Sequence, residues 1–257
     1  MKKFILYISI PLMLAMLACT DYSGEIESAY DEFNESLNVN NTGIPCGDVW
    51  CGPLKDTTAH IGKSVGSIYA YVDHNDGGVS NFLWSTGETG VLTSSAIESM
   101  DKTIFGIAGN YVLEEKTVND DGYLGVSFDL GGIHNLWEWP GLCVVYYSTS
   151  PLWLQVYFPD TENKTTYNWA MPRAKLPASS GTYEVYDVAW SSFDFPKWSK
   201  YKGTSLEYPL STAAKIELKF QTDLSEFSGN FVFYSIGRHG SCKYAGLTIF
   251  FLSLSHA

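Results

Sequence analysis

The sequence predicts an all-β protein, a two-sheet antiparallel β-sandwich, and three observations carry that prediction. Aromatics are 15% of the 257 residues, with 17 Tyr and 8 Trp among them. The 23 Gly and 10 Pro cut the apolar runs into strand-sized pieces rather than helix-sized ones. Roughly nine or ten such pieces follow one another with turn residues between them, the signature of a sandwich. No internal repeat is visible, and a chain of this length buries a sizeable core without outside help.

The elements follow in chain order. Met1-Lys2-Lys3 is a short basic segment, and 4–17 is an apolar run too short for a transmembrane helix. It ends in Met16-Leu17-Ala18-Cys19, which resembles the lipobox of bacterial lipoproteins, with Met16 where that motif has leucine. The resemblance implies a signal peptide over 1–18, cleavage before Cys19 and lipid on Cys19. Thr20, and not an aspartate, follows the cysteine, which makes the outer membrane the expected destination. Residues 19–65 read as a polar, acidic tether and linker, with a short helix expected at 26–37, and the sandwich domain is expected over 66–257.

Setting Cys19 aside leaves Cys46, Cys51, Cys143 and Cys242, an even number in an exported chain. Of the three pairings that four cysteines allow, Cys46–Cys51 and Cys143–Cys242 is the one expected. Trp50-Cys51-Gly52-Pro53 matches half of a thioredoxin active site, but Leu54 stands where the second cysteine belongs, so the match is read as coincidence. The net charge of −12 and pI near 4.7 leave no basic stripe to neutralise phosphates, which excludes nucleic acid as a partner. The same acidity favours neutral over anionic polysaccharides.

Strands are expected at 67–73, within 103–115, at 122–130, 143–149, 152–158, 182–190, 214–221, 230–236 and 246–254. In 122–130, Leu124, Val126, Phe128 and Leu130 alternate inward, and Tyr123, Ser127 and Asp129 outward. In 214–221, Ile216, Leu218 and Phe220 face the core, and Lys215, Glu217, Lys219 and Gln221 face solvent. Segments 143–149 and 152–158 are expected to form a hairpin across Ser148-Thr149-Ser150-Pro151. The segment 152–158 stands out: Leu152, Leu154, Val156 and Phe158 form one face, and Trp153, Gln155 and Tyr157 the other. Two flat rings with an amide between them suit a sugar better than they suit water.

Farther along, a motif order emerges. Asp76-Gly77-Gly78-Val79-Ser80 and Trp84 open the domain, and WEWPG at 137–141 precedes the 152–158 strand. Then come Tyr183-Glu184-Val185-Tyr186, Trp190-Ser191-Ser192-Phe193, Pro196-Lys197-Trp198, KIELKF at 215–220, Ser228-Gly229-Asn230-Phe231 and Ser235-Ile236-Gly237. This order, over about 66–250, resembles jelly-roll carbohydrate-binding modules related to family 11, from bacteria that degrade plant cell walls. The resemblance implies a concave sheet that binds a polysaccharide chain, a structural calcium near the chain ends, and no catalysis. Such modules ride on enzymes. With no enzyme domain in this sequence, the expectation is a surface glycan-binding or adhesion lipoprotein, or one component of a surface protein complex.

The binding candidates are Trp153, Gln155 and Tyr157, joined by Trp169 and Arg173, which alternation would place on one face with Tyr167 and Met171. Tyr146, Tyr123 and Asp129 complete the set, while Trp190, Phe193 and Trp198 are assigned to packing. Asp73, Asn75 and Asp76 offer hard oxygens close together, as calcium prefers, or else a plain Asx turn. Glu138, between Trp137 and Trp139, is the most enzyme-like carboxylate, but no paired-carboxylate strand motif accompanies it. The five histidines show no metal spacing, and no G-x-S-x-G elbow or phosphate loop is present. The function expected is non-catalytic binding of a neutral plant-cell-wall polysaccharide, a β-glucan, without a cofactor. The alternatives are a structural or interaction lipoprotein with no sugar site, and a small glycoside hydrolase or lyase.

Overall fold

Period-two alternation turns each strand into a plank with one apolar side, and two sets of planks bury those sides against each other. The computed structural model describes residues 45–52, 57–85, 87, 106–114, 121–159, 163–181 and 183–242. These form β1 (Trp50–Cys51), β2 (Thr58–Ile61), β3 (Ser64–Val72), β4 (Asn81–Trp84), β5 (Ile107–Val112), β6 (Tyr123–His134), β7 (Gly141–Ser148), β8 (Leu152–Tyr157), β9 (Arg173–Leu176), β10 (Glu184–Ala189), β11 (Ala213–Gln221) and β12 (Ser228–Arg238). One short helix, α1 (Glu207–Ser211), precedes β11.

The strands build two antiparallel sheets, the two-sheet β-sandwich expected of the sequence. The first runs β10-β7-β12-β5-β4, with β1 beside β12. Along one edge of β12, β5 pairs with Ser228–Phe233 and β1 with Ser235 and Ile236. The second runs β2-β3-β6-β11-β8-β9. Leu124, Val126, Phe128, Leu130, Ile216, Leu218 and Phe220 all point into the core with no exposed surface. Tyr111 of the first sheet stacks on Phe220 of the second at 4.1 Å, and Trp50 packs on Phe128 at 5.1 Å. Burying such rings contributes more than any other type of contact in the sandwich.

Three expectations are corrected. Residues 46–65 are not a linker outside the domain: Trp50 is core, β1 pairs with β12, and β2 pairs with β3 over Thr58–Ile61. Segments β7 and β8 do not form a hairpin; β7 pairs with β10 and β12, and β8 with β11 and β9. The link 149–151 therefore crosses between the sheets, where the hydroxyl of Ser148 donates to Ser150 O at 2.6 Å. Within 103–115, where one bent strand or two short ones are expected, the described residues form one strand, β5. Trp198 is 62% exposed and does not pack, whereas Trp190 and Phe193 do.

Cys46–Cys51 and Cys143–Cys242 are both disulfide-bonded, the pairing expected. Cys19, the leader, the helix expected at 26–37 and the strand expected at 246–254 lie outside the described residues. No helix among the described residues is long and apolar enough to cross a membrane.

Candidate functional site

The outer side of the second sheet carries the residues that alternation turned away from the core. Strand pairing sets them in rows. One row crosses five strands as Tyr69, Ser127, Glu217, Gln155 and Arg173. The next runs Tyr71, Gly125, Lys219, Trp153 and Lys175. On the other flank Asp129, Lys215 and Tyr157 stand opposite one another. At about 4.8 Å per strand such a row is roughly 19 Å across.

The middle of the face is buried and polar, although alternation assigned Glu217 to solvent. Glu217 is 5% exposed and Gln155 3%. The hydroxyls of Tyr71 and Ser127 donate to the two carboxylate oxygens of Glu217, at 3.1 and 3.3 Å. Tyr71 reaches β11 only because Gly125 lies between them: a Cβ there would stand 2.6 Å from the Tyr71 hydroxyl. Burial pushes the Glu217 carboxyl up from its ordinary value, against the pull of Lys219, Tyr71 and Lys215. Burial likewise pulls the Lys219 ammonium down to about 8, against the Glu217 charge. The Tyr71 hydroxyl is held well above its ordinary range by burial and then by Glu217. Gln155 Oε1 has no hydrogen-bond partner.

Half-exposed rings and cations surround this centre. Lys215 Nζ lies 4.6 Å from the ring centre of Tyr157 and 5.6 Å from that of Tyr69. Lys219 Nζ lies 4.4 Å from the ring centre of Tyr123, whose hydroxyl donates to Asp76. Asp129, half-buried at this flank, accepts the Gly131 N–H at 2.7 Å.

Two corners differ in construction. At one, the Arg173 guanidinium lies 4.0 Å over the Trp153 ring. Asp223 takes a hydrogen bond from Trp153 Nε1 at 2.8 Å and from Arg173 Nη2 at 3.0 Å, so both of its oxygens are used. At the other, Tyr157 meets Trp169 with 6.4 Å between ring centres, and Trp169 is 44% exposed.

Trp169 does not arrive there by strand alternation, because residues 163–169 are a π-turn and a following turn rather than a strand. Asn168 and Trp169 adopt the left-handed conformation, with φ of 50° and 62°. For a residue with a Cβ this costs about 1–2 kcal/mol. The turn is held by the Ala170 N–H donating to Tyr167 O at 3.0 Å and by Tyr167, which stacks on Phe195 at 5.6 Å and on Tyr208 at 6.1 Å.

Of the residues read from sequence, Trp153, Gln155, Tyr157, Trp169, Arg173, Tyr123 and Asp129 converge on this face. Tyr146 does not. It lies on β7 of the first sheet, is fully buried in the core, and donates its hydroxyl to Pro177 O at 2.7 Å. Glu217, Tyr69, Tyr71, Lys215 and Lys219 share this face and were not singled out as binding candidates. Their signal was the outward phase of β3 and β11 beside β8, visible only once the strand order is known.

Asp73, Asn75 and Asp76 do not make a calcium set. Asp73 is fully buried and its oxygens accept the Ser80 N–H, the Ser80 hydroxyl and the Tyr123 N–H at 2.8–3.2 Å. A carboxylate facing three donors is a turn anchor, not a cation ligand. Gly78 is packed so close that a Cβ would overlap the Asp73 carboxylate. Among the described residues no group of three His, Cys, Asp or Glu could hold a metal ion. Glu138 is exposed and accepts the Asn135 amide at 3.2 Å.

No family model and no curated protein matches the sequence. Among solved structures, the chain is similar to a family 11 carbohydrate-binding module of a cellulosomal cellulase from Clostridium thermocellum, at 14% identity and a TM-score of 0.43, over 72% of this chain and 94% of that one. It is similar to a family 11 module from the same organism in complex with a β-1,3-1,4-mixed-linked tetrasaccharide, at 14% identity and a TM-score of 0.42, over 71% of this chain and 96% of that one. An agarase is similar at 9% identity and a TM-score of 0.32, over 52% of this chain and 21% of that one. Likenesses of this size leave the ligand question to the face itself.

Proposed function

We propose that this chain is a non-catalytic binding protein for a neutral plant-cell-wall polysaccharide, a β-glucan before others, held at the outer membrane by lipid on Cys19. One observation carries the reading. The outer side of the second sheet sets half-exposed rings, Tyr69, Tyr157 and Trp169, around a buried amide and carboxylate, Gln155 and Glu217. Ring faces pack on the C–H faces of pyranoses, and the polar centre takes hydroxyls that would otherwise lose their water. A row of roughly 19 Å across five strands accommodates an extended oligosaccharide. The acidic chain, at net charge −12, favours an uncharged ligand. The lipobox-like Met16-Leu17-Ala18-Cys19 supports the anchor.

Affinity electrophoresis in gels containing hydroxyethylcellulose, mixed-linkage β-glucan, xylan or mannan tests the reading. Retardation in a glucan gel is expected, and its loss in Tyr157→Ala and Trp169→Ala. No retardation in any gel, or retardation that survives both substitutions, rejects it. The closed Trp153–Arg173–Asp223 corner favours a second reading, an interaction lipoprotein whose face satisfies itself. That reading predicts no glycan retardation and a protein crosslinked through this sheet in membrane fractions.

A further inference from the structure

Gln155 and Glu217 stand directly opposite each other on β8 and β11, in the centre of the face. Both are more than nine-tenths buried, at 3% and 5% exposure. Between them the Glu217 carboxyl oxygens and the Gln155 amide oxygen present three acceptor atoms. The hydroxyls of Tyr71 and Ser127 donate to Glu217, and Gln155 Oε1 receives nothing. A buried acceptor without a partner, Gln155 Oε1, calls for a donor from outside.

We propose that Gln155 Oε1 and the Glu217 carboxyl group form a pair of acceptors that reads two free hydroxyls on adjacent carbons of the bound sugar. The ligand class is then a neutral glycan unsubstituted at those hydroxyls. The inference rests on the reading of this face as a glycan-binding surface. Two hydroxyls supply donors, one to Gln155 Oε1 and one to the Glu217 carboxyl group. An ether oxygen at the same position donates nothing, and a site built on buried acceptors then loses the bond and leaves its own group unpaired. Lys215 stands two residues from Glu217 on the same strand and rests 4.6 Å over the Tyr157 ring. A pyranose stacked on Tyr157 takes the place of that ammonium, which swings away on its flexible stem and opens the carboxylate below.

Isothermal titration calorimetry of the protein with mixed-linkage β-glucan, and with the same glucan O-methylated, tests the acceptor pair. The unmodified glucan is expected to bind about tenfold more tightly or better, the size of one lost hydrogen bond in a buried site. Gln155→Met and Glu217→Gln are each expected to weaken binding of the unmodified glucan by about tenfold and to leave the methylated glucan unchanged. Gln155→Met removes an unpaired acceptor, so its Tm holds or rises. A purely structural Gln155 gives the opposite pattern, a lower Tm with affinity unchanged, and overturns the acceptor pair. Variants that bind like the wild type while Trp169→Ala does not also overturn it, and leave the aromatic reading standing. A wild-type protein that binds no glucan removes both.

Discussion

The two aromatic corners of one sheet face carry the same residue types and are built for different work. Trp153 is locked: a guanidinium covers its ring and a carboxylate holds its N–H. Trp169 is presented: its ring meets Tyr157, its backbone is left-handed, and 44% of its surface is exposed. On the proposed function, the comparison separates a ring that holds the sheet from a ring that meets the ligand. A tryptophan whose polar atom and ring face are already satisfied within the fold stiffens the sheet. A tryptophan kept out in water at a conformational cost is, on the proposed function, the one a ligand would stack on.

Substitutions break or sharpen this contrast. The largest effect is expected from Trp169→Ala, which lowers glucan affinity 10- to 100-fold, the size of one lost stacking ring, with Tm almost unchanged. At the other corner, Trp153→Ala and Asp223→Ala are each expected to cost about 1–3 kcal/mol of stability by urea unfolding, because each leaves Arg173 or its partner unsatisfied. Their effect on affinity is the smaller one. Should Trp153→Ala abolish binding at full stability, the assignment of the two corners is reversed.

A finer test compares Trp169→Gly with Trp169→Ala. Both lack the ring, but only alanine retains the left-handed penalty, so glycine is expected to be more stable by about 1 kcal/mol. Equal stabilities would mean that the turn carries no strain.

The smallest expected effect comes from Lys219, whose ammonium burial pulls down to about 8 from its ordinary 10.5. Between pH 8 and 10.5 the unfolded chain holds more protons at this site, so its contribution to stability rises with pH across that window. Tyr111, pushed up to about 12 by burial, acts oppositely above its ordinary value of 10, where the unfolded chain releases its proton first. Stability is therefore expected to rise modestly from pH 8 and to turn down near 10, in Tm measured against pH. Lys219→Met removes the rise and keeps the fall.

The sandwich was legible in the sequence because β6 and β11 alternate with one face wet or polar, which makes the inward set unmistakable. Tyr146 was misread for the converse reason. Val144 and Val145 on either side of the β7 plank are both fully buried, so alternation there carries no sign of which side faces a cleft. The supposed hairpin failed because a tight turn between two strands looks the same whether they pair or part to opposite sheets. Glu217 was assigned correctly to the outer side, yet its burial comes from Tyr71 reaching across Gly125 from a strand some 145 residues earlier in the chain, a contact no local pattern encodes. Trp169 reached the face through a backbone conformation set by the Tyr167 stack, which has no periodicity to read.

The in-register pairing of β3, β6, β11, β8 and β9 makes the face a ruled grid with unequal spacings, about 4.8 Å from strand to strand and about 6.8 Å between outward residues along a strand. Such a grid has a grain. A chain laid across it meets Tyr69, Ser127, Glu217, Gln155 and Arg173 in succession, whereas one laid along β8 meets Tyr157, Gln155 and Trp153 at the longer interval. The two directions present different chemical sequences at different repeats, and Gln155 is the point where they cross.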